Sequence, residues 1–363
     1  MMLALRELRR RPSRFVVATV VLTFLSLLLL LLGGLLDGLF TGSTGAVRAQ
    51  RADAIVYSSN ARDSFLRSRI TPEVRATVTS TTGVDAVGGL GVVLLGGQVP
   101  GETDIADIAV IGYEIAPTGV PAVPASGHGW ADSTLRDQGA AIGDTVLVGP
   151  AETPIVVDGF VEDTNFLQQS GLWVDLATWR VAQNANRPDS FIADDTVQVL
   201  VVQGSGDLPA AIDAATAVAT STLSRDDAVF ALPGVKAQGD TFNQIIYMTL
   251  AVVLAVIGLF FSLLTLERSP LYGVLKAIGA STRQLFAGVV LQAVVVATVA
   301  SVIGSTLAFL LSLAISGSLP FQITPGRLAF TFAAMIGAAV FGSVLSLRRV
   351  TRIDPASAIG SAT

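Results

Sequence analysis

His128 is the only histidine among the 363 residues, and it stands in Ala125-Ser126-Gly127-His128-Gly129-Trp130. An imidazole near serines can act as the base of a Ser-His-Asp arrangement. Geometry rather than spacing defines such a triad, so the sequence leaves it open, while the glycines point to a loop without a catalytic role. The acidic pairs Glu162-Asp163, Asp194-Asp195 and Asp226-Asp227 could bind calcium, but none has EF-hand spacing, and solvated loop charge is the expected reading. There is no cysteine, which removes thiol-based metal, redox and nucleophile chemistry. The only lysines, Lys236 and Lys276, lack the G-x-x-x-x-G-K-[ST] context of a phosphate loop. The expected catalytic set and the expected metal set are both none, and no nucleic-acid partner is expected.

The surrounding elements explain this poverty of chemistry. The chain is 51% hydrophobic and only 14% charged, a balance displaced toward membrane proteins. Four apolar runs, at roughly 15–36, 241–266, 285–315 and 328–347, are each long enough to cross a hydrocarbon core of about 30 Å. The first has a basic start but is too long for a signal-peptide core and lacks a clear A-x-A site, so an uncleaved anchor is expected. Ionisable residues are nearly missing inside the runs, which argues against a proton relay or an ion-coupled carrier.

Charge is segregated along the chain. Residues 37–240 carry a balance of −14, whereas 1–14, 267–284 and 348–363 together carry +8. Basic residues near membrane ends are retained in the cytoplasm. The Arg6, Arg9, Arg10, Arg11, Arg14 cluster, the Arg268, Lys276, Arg283 loop and the Arg348, Arg349, Arg352 tail are therefore read as inside. The same arginines would serve equally for binding anionic lipid. The expected division is a cytoplasmic entry helix over 1–14, a span over 15–40, an extracytoplasmic domain over 41–240 and a span over 241–266. A cytoplasmic helix over 267–284, a span over 285–315, an outer loop over 316–327, a span over 328–347 and a cytoplasmic tail over 348–363 complete it.

The fold class is a polytopic α-helical membrane protein with four transmembrane helices and one mixed α/β (α+β) extracytoplasmic domain. Within that domain strands are expected over 52–58, 84–99, 105–115, 145–148, 155–161 and 197–203, all rich in Val and Ile. Two short helices separated at Thr71-Pro72 are expected within 60–79, with Thr71 as cap. Helices are also expected over 175–184, with an acidic cap at Asp175, and over the alanine-rich 207–223. Residues 116–130 read as a loop. In the third span Gly288, Ser301, Gly304 and Ser305 are expected to allow close helix packing.

Between the second and third spans runs Leu266-Glu267-Arg268-Ser269-Pro270-Leu271-Tyr272-Gly273-Val274-Leu275-Lys276-Ala277-Ile278-Gly279-Ala280-Ser281-Thr282-Arg283-Gln284. Leu271, Val274, Leu275 and Ile278 fall at i, i+3, i+4 and i+7, one apolar face that suits either the lipid headgroups or a protein partner. Ser-Pro fits a helix start, and Gly279 fits its stop. The segment is similar to the "ER…EIGVLKAIGAS…Q" stretch of MacB/FtsX-type ABC transporter permeases, although Ser269-Pro270-Leu271 replaces the acidic residue often found before the Ile/Tyr-Gly position. The basic entry Leu5–Arg14, Ile142-Gly143-Asp144-Thr145-Val146 and the ending Arg352-Ile353-Asp354-Pro355-Ala356-Ser357-Ala358-Ile359 resemble further family segments.

That resemblance implies a permease subunit in the plasma membrane, with both termini cytoplasmic. It implies ATPase coupling through Leu271, Tyr272, Gly273, Val274, Leu275, Lys276, Ala277, Ile278, Gly279 and Ala280. Further ATPase contacts are implied at Glu267, Arg268, Arg283, Arg352, Asp354 and Pro355. No cofactor is expected in this chain; ATP and Mg would be bound by a partner ATPase. The implied partners are two copies of an ABC-type ATPase subunit, a second copy of the permease, membrane lipid and an extracytoplasmic protein. The implied function is mechanotransmission driving export or extraction of a substrate. Two alternatives stand beside it: regulation of a cell-wall hydrolase or sensor kinase by the same machinery, and uptake of a small solute such as an amino acid.

Overall fold

A computed structural model describes residues 12–267, 274, 281–315 and 320–350. They fall into two compact units, one formed by residues 1–38 with 240–363 and the other by 39–239.

The first unit is helical. Its helices are α1 (Pro12–Arg48), whose last ten residues lie in the second unit, α7 (Val235–Glu267), α8 (Thr282–Ile315) and α9 (Pro325–Val350). All four are long and apolar enough to span a membrane. They are apolar nearly all round, as lipid-facing helices must be, because polar side chains are costly in hydrocarbon, and they are helical because hydrocarbon offers backbone groups no other partner. Their shared core includes Leu22, Leu29, Ile257, Phe261, Ala293, Ala297, Met335 and Ala339. Small residues bring the helices together, as the span-three serines and glycines predict in part. A Cβ on Gly304 would stand 3.0 Å from Ser26 Cβ and from the Thr23 carbonyl of α1, and Ser301 is fully buried. Gly288, by contrast, meets nothing within 4 Å among the described residues.

The second unit is a mixed α/β domain built on β1 (Ala54–Ser58), β2 (Val84–Gln98), β3 (Ile105–Tyr113), β4 (His128–Asp132), β5 (Thr145–Val148), β6 (Thr153–Val161), β7 (Ser170–Val174), β8 (Val199–Gly204) and β9 (Thr220–Ser224). Short helices α2 (Pro72–Thr79), α3 (Ser133–Asp137), α4 (Leu176–Asn186), α5 (Leu208–Ala215) and α6 (Arg225–Ala231) lie between the strands. The sheet order is β3-β7-β4-β6-β5-β2-β8-β1-β9, and an added β2–β3 pairing closes β2, β3, β7, β4, β6 and β5 into a ring. Long β2 serves both parts, pairing with β3 through 90–98 and with β8 through 84–90. Alternate residues of β2 feed different cores. Leu90 and Val92 join Ile111, Tyr113 and Trp173, while Val93 and Leu95 join Ile108, Val148 and Trp179, as the period of two in a strand requires.

Several expectations change. The first helix continues beyond its apolar run to Arg48, because Phe40, Ala46 and Val47 recur at helical spacing and pack in the domain core. Residues 60–70 form turns after a short 3-10 segment, leaving only α2 of the two expected helices. Thr71 occupies the cap of α2 without a side-chain capping bond; Asp175 does cap α4, accepting from Ala177 N and Thr178 N at 3.2 Å. The alanine-rich run 207–223 is a helix to Ala215 and then strand β9. Ala217 and Val218 take left-handed φ of 50° and 64°, which ends the helix.

Candidate functional site

The segment expected to contact an ATPase, Leu271–Ala280, lies outside the described residues except for Val274, as do Arg268, Arg352, Asp354 and Pro355. Val274 is helical and, among the described residues, 61% exposed. The elements that present the segment are defined. Helix α7 ends at exposed Glu267. Helix α8 opens on a reciprocal cap, in which Gln284 N donates to Ser281 Oγ and Ser281 N donates to Gln284 Oε1, both at 3.3 Å. This is the capping box written by Ser281-Thr282-Arg283-Gln284. It fixes where the third span begins and gives the chain a set exit from the segment. Arg283 is in the first turn of that helix.

At the other end of the helical unit stands an ion pair that the sequence reading passed over. Arg327, in the first turn of α9, reaches Asp37 of α1 through Nη2 and, at 3.2 Å, through Nε. Thr324 Oγ1 donates to the same carboxylate at 3.0 Å and accepts from Arg327 N at 3.1 Å. The side chains are only 20% and 16% exposed, so the charges are largely removed from water and depend on each other. Gln322 N donates to Gly34 O at 3.0 Å, and a Cβ on Gly38 would collide with the Pro320 carbonyl. The stretch 320–324 is thus seated directly on α1. An acidic residue inside an apolar run and a lone arginine after a short loop were the available signals.

The upper end of α1 is held within the α/β domain by the loop 163–168. Leu167 N and Gln168 N donate to Ser43 O and Gly42 O at 3.0 and 2.9 Å, and Ala46 N donates to Asn165 O at 2.9 Å. Gln168 Nε2 adds bonds to Leu39 O and Ser43 Oγ at 2.7 and 2.8 Å. Arg48 Nη2 bonds Asp163 Oδ1 at 2.8 Å, so this member of the Glu162-Asp163 pair is an ion-pair partner rather than free loop charge. Gly42 and Gly45 permit the approach; a Cβ on Gly45 would lie 2.5 Å from Asp163 O. Val235, at the start of α7, is buried in the same core as Ala46 and Val47. Both helices that enter the domain therefore end inside one cluster.

His128 stands on β4 rather than in a loop, and its Nδ1 lies 2.7 Å from Asp158 Oδ1. Ser126 Oγ instead bonds Thr178 Oγ1 at 3.2 Å. The nucleophile–base contact of a triad is not made, which disfavours acyl-transfer chemistry here. Asp132, 1% exposed, accepts from Thr134 and Thr164 through both backbone and hydroxyl donors and is a structural anchor. Asp227 closes the α6 cap with Ser224. Among the described residues no cluster of three or more His, Cys, Asp or Glu side chains could hold a metal. Burial pushes the Tyr113 phenol up to about 12, and its hydroxyl donates to the Pro121 and Ala122 carbonyls. Burial, then the Asp63 carboxylate, raises Tyr57 further.

Four membrane-spanning helices with an α/β domain inserted between the first two define a multi-pass membrane protein whose domain is extracytoplasmic. Residues 243–355 match the FtsX-like permease C-terminal family model. The chain is 29% identical to an ABC transporter permease of Mycobacterium tuberculosis and 28% identical to a second from that organism, each over 98% of both chains. It is 22% identical to the hemin transport system permease protein HrtB of Staphylococcus epidermidis, over 62% of this chain and 61% of that one. The periplasmic region of MacB from Actinobacillus actinomycetemcomitans aligns with 50% of this chain and 92% of its own at 13% identity, with a TM-score of 0.35. Over nearly its whole length the chain is thus similar to ABC transporter permeases, and over its C-terminal part to the FtsX-like permease family.

Proposed function

We propose that this chain couples ATP hydrolysis in a separate ATPase subunit to movement of its extracytoplasmic domain, and that the movement exports or extracts a substrate. The single observation that carries this is the family match over 243–355. It spans the apolar-faced segment 271–280 between α7 and α8, so Leu271, Val274, Leu275 and Ile278 are assigned the contact with the ATPase. Glu267, Arg268, Arg283, Arg352, Asp354 and Pro355 flank it. ATP and Mg are bound by that partner, two copies of which serve a permease dimer. The basic clusters put both termini in the cytoplasm. Helices α1 and α7 run directly into the domain and end in its core, which supports movement carried along the helices rather than passage of cargo through a polar channel. The partial likeness to a hemin transport permease makes an amphipathic, membrane-partitioning cargo the first class to assay.

The test is purification of the full-length protein from its native membrane in mild detergent, with co-purifying chains identified and assayed for ATP hydrolysis. A phosphate-loop ATPase should accompany it, and Leu275→Asp or Gly279→Leu should abolish the coupled stimulation while membrane insertion persists. Unchanged stimulation in both variants overturns the assignment.

A further inference from the structure

On the face of the extracytoplasmic sheet carrying α2 and α4 there is a cleft of about 470 Å3, lined by Arg75, Glu114, Leu176, Arg180, Asp195 and Val197 among others. Its volume falls in the range of small-molecule sites, about 300–1,000 Å3. It lies where two hydrophobic clusters adjoin, one around Trp179 and Ala182 and one around Ile70, Val78 and Val197; Leu176 packs against both. The floor is drawn in at Gly89, where a Cβ would stand 2.8 Å from Val197 Cγ1.

The four charges of the lining are not equivalent. Arg75 and Glu114 satisfy each other through two bonds, at 2.6 and 3.2 Å, and Glu114 Oε2 also accepts from Gly89 N at 2.6 Å. They make a closed wall. Arg180 gives only Nη2 to the Thr196 carbonyl, at 3.3 Å, and its Nε is enclosed without a hydrogen-bond partner among the described residues. Asp195 makes no side-chain hydrogen bond among the described residues, and its backbone is held at φ +62°, a conformation uncommon for a non-glycine residue. One cation and one anion are thus left unspent in a single cleft, above an apolar floor.

Formal charge in the lining sums to zero, which selects among ligands. A phosphate dianion would face two carboxylates, and a simple cation would face two guanidinium groups. A zwitterion satisfies both groups: its carboxylate pairs with the Arg180 guanidinium through the outer nitrogens, its ammonium takes Asp195, and an aliphatic side chain covers Leu176 and Val197. We infer that this cleft binds a small apolar zwitterion, a free amino acid or a short peptide with free termini. This goes beyond the coupling function and does not depend on it, since binding is read on the permease without an ATPase.

Isothermal titration of the full-length protein in detergent with leucine and with Leu-Leu tests the inference and separates the two sources. At least one of the two should bind, and blocking either terminus, by N-acetylation or C-terminal amidation, should weaken binding about tenfold or more, the effect of losing one charge-assisted bond. Arg180→Gln and Asp195→Asn should each do the same, with near-ultraviolet circular dichroism unchanged, whereas Asp104→Asn outside the cleft should bind as the parent does. Absence of binding by both ligands at millimolar concentration, or binding indifferent to Arg180→Gln and Asp195→Asn, overturns it.

Discussion

Replacing Arg327 by methionine should destabilise the helical unit at its extracytoplasmic end. The guanidinium makes two bonds to Asp37, and the side chains are 16% and 20% exposed. Removing one partner of a fully buried pair costs about 3–5 kcal/mol, because the other charge stays desolvated; with residual exposure here, about 2–4 kcal/mol is expected. That corresponds to an apparent Tm lower by about 4–16 °C for a unit of this size. Thermal unfolding in detergent, followed by tryptophan-independent light scattering and by circular dichroism at 222 nm, would measure it. The decisive comparison is a double-mutant cycle with Asp37→Leu. In the double variant neither charge is stranded and an apolar contact replaces the pair, so its loss should fall short of the summed single losses by about 2 kcal/mol or more. Additivity of the two changes within about 0.5 kcal/mol would refute the view that the charges depend on each other.

Gly45→Val should break the seat of α1 in the extracytoplasmic domain, since its Cβ would lie 2.5 Å from the Asp163 carbonyl; overpacking of this kind costs about 1–3 kcal/mol. Hydrogen exchange should rise at 163–168, while Gly288→Ala, which meets nothing within 4 Å among the described residues, leaves exchange unchanged. Alkaline titration should destabilise the extracytoplasmic domain. Folding favours the protonated Tyr113 phenol, so its contribution is whole below the ordinary value of 10.0 and lost as pH rises toward about 12. Tyrosinate absorbance should therefore lag for Tyr113, and Tyr113→Phe should flatten the fall in stability between those pH values.

The helices of the membrane unit were legible because length and apolarity alone define a span, and the β-rich segments because Val and Ile cluster in them. What escaped has identifiable causes. Strand β7, Ser170–Val174, is buried at every position, so it offers no alternation to read. Strand β9 is a short, hydroxyl-rich edge whose five residues pair with β1, and the preceding alanines favour a helix until Ala217 and Val218 turn the chain. The glycine neighbours of His128 suggest a loop, yet Gly129 is needed for the close passage of Leu172 and Val174, where a Cβ would be 3.1 Å away. Gly129 reports crowding between strands, whereas Gly127, at φ +81°, is the turn glycine that the sequence suggests. The permease motif was visible as a local pattern, whereas the Asp37–Arg327 pair joins residues 290 positions apart and had only the isolation of each charge to announce it.

The same pair bears on how a coupling stroke could act. Helix α1 is fastened twice within short distance along its length: at Asp37 to the start of α9, inside the helical unit, and from Leu39 to Arg48 by the 163–168 loop, inside the extracytoplasmic one. The first fastening rests on a charge pair with one hydroxyl, the second on a row of backbone bonds and a packed core. A shift of α1 against α9 would have to open the first, whose strength depends on exclusion of water, before it disturbed the second. Under the proposed coupling function, neutralising the pair should therefore alter ATPase-linked movement while the α1 seat in the extracytoplasmic domain keeps its hydrogen-exchange protection. Loss of protection at 163–168 in the Asp37→Leu, Arg327→Met double variant would show instead that the two fastenings form one cooperative unit.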